Sequence, residues 1–250
     1  MFTDGAYPEP HTWLSDVFGY PCFRVSPCFF DARKLGGQSP APNPVPGFYW
    51  GRITTGIVST KLHEWLDEGF NLIDVSVTLQ RPPGLFETNP WRTGGKDVVP
   101  ITVGFPQLSD VADLAGLAEQ AWRCSRFNLD PKVTAEQAAA VKRAWISSYV
   151  TNQREGMLLS AILDGKKVAV LCVAKKPEFF TIELLAVKPE YQGRGIAKEL
   201  LKMLFRWTKD RPVTVGTQAA NVDAIRFYED CGFRTQKLEY VLHLHRSQVT

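Results

Sequence analysis

The chain has no block of five or more like charges, and its net charge of +3 over 250 residues falls far short of the basic footprint that nucleic acid demands. It has no apolar run long enough to span a bilayer. Met1-Phe-Thr-Asp-Gly5 is polar, with proline soon after, so neither a signal peptide nor a membrane span is expected and the compartment is read as cytosolic. No C-x-x-C pair and no histidine cluster at zinc spacing is present. The five cysteines, Cys22, Cys28, Cys124, Cys172 and Cys231, are odd in number, which argues against a full disulfide framework and leaves them as reduced packing residues. His243 and His245 share one face of a final strand, where core or solvent contact is expected and no metal. Two familiar phosphate loops are also missing: there is no G-x-x-x-x-G-K-[ST], and Gly193-Arg-Gly195 lacks the third glycine of the dinucleotide fingerprint.

What is present is a different phosphate-cradling turn. At 250 residues and 44% hydrophobic, the chain can bury a substantial core as one large or two modest domains. Phe179 to Val187 reads as a strand, stopped by Pro189. Ile196, Leu200, Met203, Leu204 and Trp207 then recur at helical spacing, so Val187-Lys-Pro-Glu-Tyr-Gln-Gly-Arg-Gly-Ile-Ala197 feeds a helix starting near Gly193. A helix start offers unpaired N–H groups and the positive end of its dipole to an anion. Gly193 and Gly195 let the backbone approach a phosphate, and Arg194 adds a charge at the rim. A bound pyrophosphate is the expectation.

Gln192-x-x-Gly195-x-Ala197 resembles the [RQ]-x-x-G-x-[GA] acyl-coenzyme A motif of the GCN5-related N-acetyltransferase (GNAT) family. Asn221-Val-Asp-Ala-Ile-Arg-Phe-Tyr-Glu-Asp-Cys-Gly-Phe233 is similar to that family's N-x-x-A-x-x-F-Y-x-x-x-G-F signature at every fixed position. The resemblance implies acetyl-CoA as cofactor, held by Leu185, Ala186 and Val187 on a strand that splays from its neighbour, by Gln192, Gly193, Arg194, Gly195, Ile196 and Ala197 in the turn, and by Asn221 and Tyr228. A phenol such as Tyr228 can protonate a departing thiolate. Glu183, on the same strand, is the candidate base that takes a proton from the attacking amine; simple alternation would put it on one face with Leu185 and Val187.

The implied fold class is α/β (α+β): a mixed, mostly antiparallel twisted sheet flanked by helices over residues 106–250, preceded by a smaller domain over residues 1–105. Helices are expected over 109–122 and 134–150, the second opened by the capping box Thr134-Ala-Glu-Gln137, and strands near 156–164, 167–175 and 179–187, with a Gly165-Lys166 hairpin. After the 212–218 strand and the signature helix, paired strands are expected from Phe233 to Arg246. Lys61-Leu-His-Glu-Trp-Leu-Asp-Glu-Gly-Phe70 echoes Ile225 to Phe233 and sets Trp65 where Tyr228 stands. Residues 1–105 are therefore read as a degenerate half-copy without a cofactor loop, Gly94-Gly95 falling after the echo in a surface turn.

This two-part plan resembles the bacterial TDP-fucosamine acetyltransferase group, which implies an acceptor amine on a nucleotide-linked amino sugar and a place in surface polysaccharide assembly. Arg126 is the candidate clamp for a diphosphate, Phe127 the candidate stacking ring, and Gln218 a further acceptor contact. A protein, peptide or other small-molecule amine is the alternative acceptor, and a cofactor-binding module without catalysis is a third reading. A homodimer paired through the final strand is plausible.

Overall fold

In the computed structural model, residues 8–27, 45–55, 60–84, 101–121, 124–208 and 211–247 are described. They form two compact units that interleave along the chain, so no single boundary at 105 separates them. Unit 1 comprises Met1–Ser76, Ser125–Ala140 and Lys237–Thr250; unit 2 comprises Val77–Cys124 and Val141–Gln236.

Asp164 and Gly165 take φ of 50° and 75°, the left-handed pair that a two-residue hairpin turn requires. In unit 2 this turn joins β6 (Gly156–Leu163) antiparallel to β7 (Lys166–Lys175). Short β5 (Thr102–Gly104) pairs with β6, β8 (Phe180–Val187) runs antiparallel to β7, and β9 (Val213–Gln218) runs parallel to β8. β7 is buried from Val168 to Ala174, which marks it as a strand covered on both faces. On one face α3 (Val111–Ala121) and the second half of α5 (Ala135–Val150) bring Leu114, Leu117, Ile146 and Tyr149 against Leu158, Val170, Cys172, Leu184 and Ala186. On the other, α6 (Ile196–Thr208) and α7 (Val222–Asp230) pack Leu200, Leu204 and Tyr228 against Leu159, Leu171, Val173 and Ile182. Each such aliphatic side chain contributes roughly 1.5–3 kcal/mol. The Thr134/Gln137 capping box forms in both directions, at 2.9 and 3.2 Å.

In unit 1, β1 (Glu9–Pro10) pairs with β2 (Cys22–Val25), β2 runs parallel to β3 (Gly47–Thr54), and β10 (Arg234–Arg246) pairs antiparallel with β3 from Glu239 to Arg246. The paired strands expected after Phe233 are instead this one strand, because its thirteen residues contain no Gly, Pro, Asn or Asp to turn the chain. β10 is flanked by β3 and β4 (Asn71–Arg81), so neither of its edges is open to the two-fold pairing expected of it. α1 (Thr12–Phe18) and the four-residue α4 (Arg126–Leu129) also belong to unit 1, as does α2 (Thr60–Asp67). Trp65 of α2 is fully buried beside Val25, Tyr49, Ile53, Phe70 and Leu242. It lies so close to the bare backbone of Gly51 that a Cβ there would come within 2.3 Å of its ring.

His243 and His245 do share a face, and their partner is Asp130: its Oδ2 accepts from Nδ1 of His243 at 2.7 Å and from Nε2 of His245 at 2.8 Å, while Oδ1 accepts from Lys132 N–H. These are hydrogen-bond lengths. Cys22, Cys172 and Cys231 are buried free thiols and Cys124 is half-buried; Cys28, Arg123 and the Gly94-Gly95 turn lie outside the described residues.

Candidate active site

Strands β8 and β9 pair only from Phe180↔Val213 to Ile182↔Val215. Beyond that point Leu184 to Val187 keep their partners on β7 but have none on β9. The two parallel strands therefore diverge, and backbone groups of Leu185, Ala186 and Val187 stand at an unpaired edge, the splay that the sequence resemblance implied. Gly216, on the diverging part of β9, is exposed, and a Cβ built on it would meet nothing within 4 Å.

The divergence opens onto the turn. A short 3₁₀ segment, Pro189–Tyr191, follows β8, and Gln192 reaches back to donate from Nε2 to the Val187 carbonyl at 3.0 Å. Gln192 thus fixes the start of the turn with its side chain and leaves main-chain groups to face outward. Gly193 and Gly195 have φ of 75° and 79°, and a Cβ at Gly193 would meet nothing within 4 Å. The glycine there is required by backbone conformation and by an open approach, not by crowding. Arg194 donates to the Glu190 carbonyl at 3.0 Å and lies over Tyr191. Ile196 is buried in the core and Ala197 packs partly against it, so these two offer N–H groups and no side-chain contact. The helix begins at Ile196, three residues later than the sequence reading placed it, with the Glu199 N–H making its bond to the Gly195 carbonyl at 3.1 Å. Consecutive free N–H groups and two left-handed glycines beside a diverging strand fit the diphosphate and arm of coenzyme A.

Asn221 caps α7 through its side-chain carbonyl, to the Ala224 N–H, and its own N–H bonds Gln218 O. Its amide NH₂ remains a donor. Tyr228 is buried, edge-on to Phe227 and Phe233 at 5.2 and 5.3 Å. Burial, and then Cys231, raise its phenol well above the ordinary range, so it carries its proton at neutral pH. Gln218 ends β9 with its Oε1 buried and without a partner among the described residues.

Glu183 is not where alternation put it. Cys172 pairs with Leu184 and Val173 with Ile182, so Glu183 is the extra residue of a β-bulge. Leu185 and Val187 pack toward the Tyr228 face, whereas Glu183 turns with Leu184 and Ala186 toward α5. There its Oε2 accepts from Trp145 Nε1 and Tyr149 Oη, both at 2.7 Å, and from Arg154 at 3.2 Å; among the described residues Oε1 has only the longer Arg154 contact at 3.5 Å. Burial and then Glu183 hold the Tyr149 phenol firmly protonated. Tyr149 and Arg154 were missed by sequence reading, although Tyr149 stands four residues after Trp145 on one helix face.

Arg126 and Phe127 belong to unit 1, while the turn, Glu183, Gln218 and Tyr228 belong to unit 2. Phe127 corrects its assignment as an open stacking ring: it is buried against Phe18 and His243 and serves the core.

Residues 115–233 match the Acetyltransferase (GNAT) family. The chain is 29% identical over 169 residues to the spore coat polysaccharide biosynthesis protein SpsD of Bacillus subtilis (strain 168), covering 66% of this chain and 55% of that one. It is 35% identical over 104 residues to the N-acetylaspartate synthetase of Rattus norvegicus, covering 40% of this chain and 35% of that one. The chain thus spans about half or less of the length of these curated relatives. A GCN5-related N-acetyltransferase from Sphaerobacter thermophilus superposes with a TM-score of 0.54 at 18% identity, covering 88% of this chain and 65% of that one. That likeness extends the fold well beyond the matched domain. Among the described residues no helix is long and apolar enough to cross a membrane.

Proposed function

Because residues 115–233 are a GNAT acetyltransferase domain, we propose that the chain transfers an acetyl group from acetyl-CoA to the amino group of a nucleotide-linked amino sugar, such as a dTDP-4-amino-4,6-dideoxyhexose. The observation that carries the acetyl-transfer part is the end of β8–β9 pairing at Ile182↔Val215, after which β8 runs on unpaired with β9 toward a turn with two left-handed glycines. The sugar part is supported by the likeness to a protein named for polysaccharide biosynthesis and by the two-part plan.

Acetyl-CoA supplies an activated thioester when bound. Gly193, Arg194, Gly195, Ile196 and Ala197 hold its diphosphate through main-chain N–H groups, with Gln192 fixing the turn, and Leu185 to Val187 with Asn221 hold its arm. An ammonium must lose a proton before it can attack, and Glu183 takes it at Oε1, the oxygen that Trp145 and Tyr149 leave open. As the carbon–sulfur bond breaks, Tyr228 donates its phenolic proton to the sulfur; its raised affinity for that proton keeps it in the acid form until then.

The smaller domain is proposed to be a degenerate half-copy of this arrangement. Two helix ends support it: Gly69 at φ +89° and Gly232 at +83° follow α2 and α7. The Phe70 N–H bonds Trp65 O and the Phe233 N–H bonds Tyr228 O, each at 3.0 Å. Trp65 therefore holds the place of the acid but has no hydroxyl to give.

Acetyl-CoA offered with a panel of nucleotide amino sugars should release free thiol and yield an acetylated sugar. The panel should include aspartate, given the relative named N-acetylaspartate synthetase. Turnover on aspartate or on peptide amines with none on any sugar would replace the sugar by the alternative acceptor.

A further inference from the structure

Two guanidinium groups lie over one tryptophan in unit 1 and a third stands nearby on the same strand as that ring; among the described residues no ion pair joins Arg24 or Arg126 to a carboxylate. Arg24 on β2 is the parallel-register partner of Trp50 on β3, and Arg52 lies two residues further along the same face. Arg126 of α4 stacks on Trp50 with Cζ 3.9 Å from the ring centroid and 4.6 Å from that of Phe127, while Arg24 lies 5.8 Å from the Trp50 ring. Arg126 Nη1 and Trp50 Nε1 are buried and, among the described residues, make no hydrogen bond. Asp130, four residues after Arg126, has spent both carboxylate oxygens on His243, His245 and the Lys132 N–H. Of the carboxylates near the cluster, Glu239 lies 3.5 Å from Arg52 and already 2.7 Å from Lys237, and half-buried Asp74 also feels the charge of Arg52. Burial first, then the charges of Arg52 and Arg24, pull the Arg126 guanidinium down to about 9. A buried donor without an acceptor costs stability unless something else supplies the acceptor.

We propose that Arg24 and Arg126 on Trp50, with Arg52 beside them, bind a phosphate oxyanion of two or more charges, in the first place the diphosphate of a nucleotide-linked acceptor. The nucleotide part rests on the sugar-acceptor reading; the oxyanion site does not. A planar fork of donors suits the spread oxygens of a diphosphate, and three forks match its charge better than that of a single carboxylate.

The test is calorimetric titration of inorganic pyrophosphate into the full chain saturated with coenzyme A, so that the start of α6 is already filled. Saturable binding is expected in the wild type. Arg126→Gln and Arg52→Gln should each weaken it about tenfold or more, with coenzyme A affinity unchanged within about twofold. Arg52 is exposed and its replacement threatens the fold little, so a loss confined to Arg126→Gln would overturn the three-arginine site. Equal affinity in all three proteins, or no saturable binding at millimolar pyrophosphate, would do the same. A nucleoside diphosphate that competes with pyrophosphate supports the nucleotide, whereas aspartate competing equally well overturns the phosphate assignment. If coenzyme A itself fails to bind while pyrophosphate binds in an Arg126-dependent way, the acetyl-transfer reading falls and the oxyanion site stands.

Discussion

Replacing Tyr228 by Phe is expected to lower kcat by about 100- to 10,000-fold, the range for losing a positioned acid, while leaving acetyl-CoA affinity unchanged within about twofold. The ring packs edge-on to Phe227 and Phe233, and a phenylalanine keeps both contacts. In the proposed reaction the hydroxyl serves the step in which sulfur departs, and the diphosphate is assigned to the start of another helix. Single-turnover measurement of thiol release, beside a binding titration, separates the two. The variant should recover most when the leaving thiol is made more acidic, because a better leaving group has less need of a proton. A variant as active as the wild type would remove Tyr228 from the chemistry and favour a solvent proton in its place.

The largest effect on stability is expected from Glu183→Ala. Its Oε2 accepts from Trp145, Tyr149 and Arg154, and the Tyr149 hydroxyl is deeply placed with this carboxylate as its acceptor. Removing the acceptor strands that hydroxyl and takes one carboxylate from Arg154, at a cost of about 2–4 kcal/mol. For a chain of this size the thermal midpoint should fall by about 4–16 °C. Glu183→Gln keeps one carbonyl oxygen for Trp145 and Tyr149, so it should lose less stability while losing the capacity to take a proton. If the two variants unfold together with the wild type, the carboxylate is not the anchor of α5 on β8. If Glu183→Gln retains full activity across pH, the base lies elsewhere.

How far the sequence announced these features follows from how local each one is. The turn at 192–197 was legible because its requirements are met within a few residues: glycines where φ is positive, and a helix start just after. The signature helix was legible for the same reason, its Asn221 cap and its Gly232-Phe233 end both lying inside one motif. The bulge at Glu183 was not, since it depends on how β7 pairs with β8, and that slip moves Glu183 to the opposite face from Leu185. Phe127 was read as a stacking ring because it lies in the segment where the resembled family builds its acceptor pocket; only the packing of Phe18 and His243 around it shows that it is enclosed. The convergence of Arg24, Trp50, Arg52 and Arg126 had no sequence signal at all. It arises from parallel pairing of β2 with β3 and from a short helix about a hundred residues away in the chain. The division into units was equally hidden, because β4 and β10 each run across it.

The central claim is that backbone groups from Gly193 to Ala197 hold the diphosphate of acetyl-CoA, and calorimetric titration of acetyl-CoA into the wild type and into Gly193→Ala tests it most directly. The wild type should bind in about the 1 μM–1 mM range typical of enzyme substrates. The alanine has room for its methyl group but must hold φ near +75°, a strain of about 1–2 kcal/mol that should weaken binding roughly tenfold. No detectable affinity in the wild type, or equal affinity in the two proteins, would contradict the account.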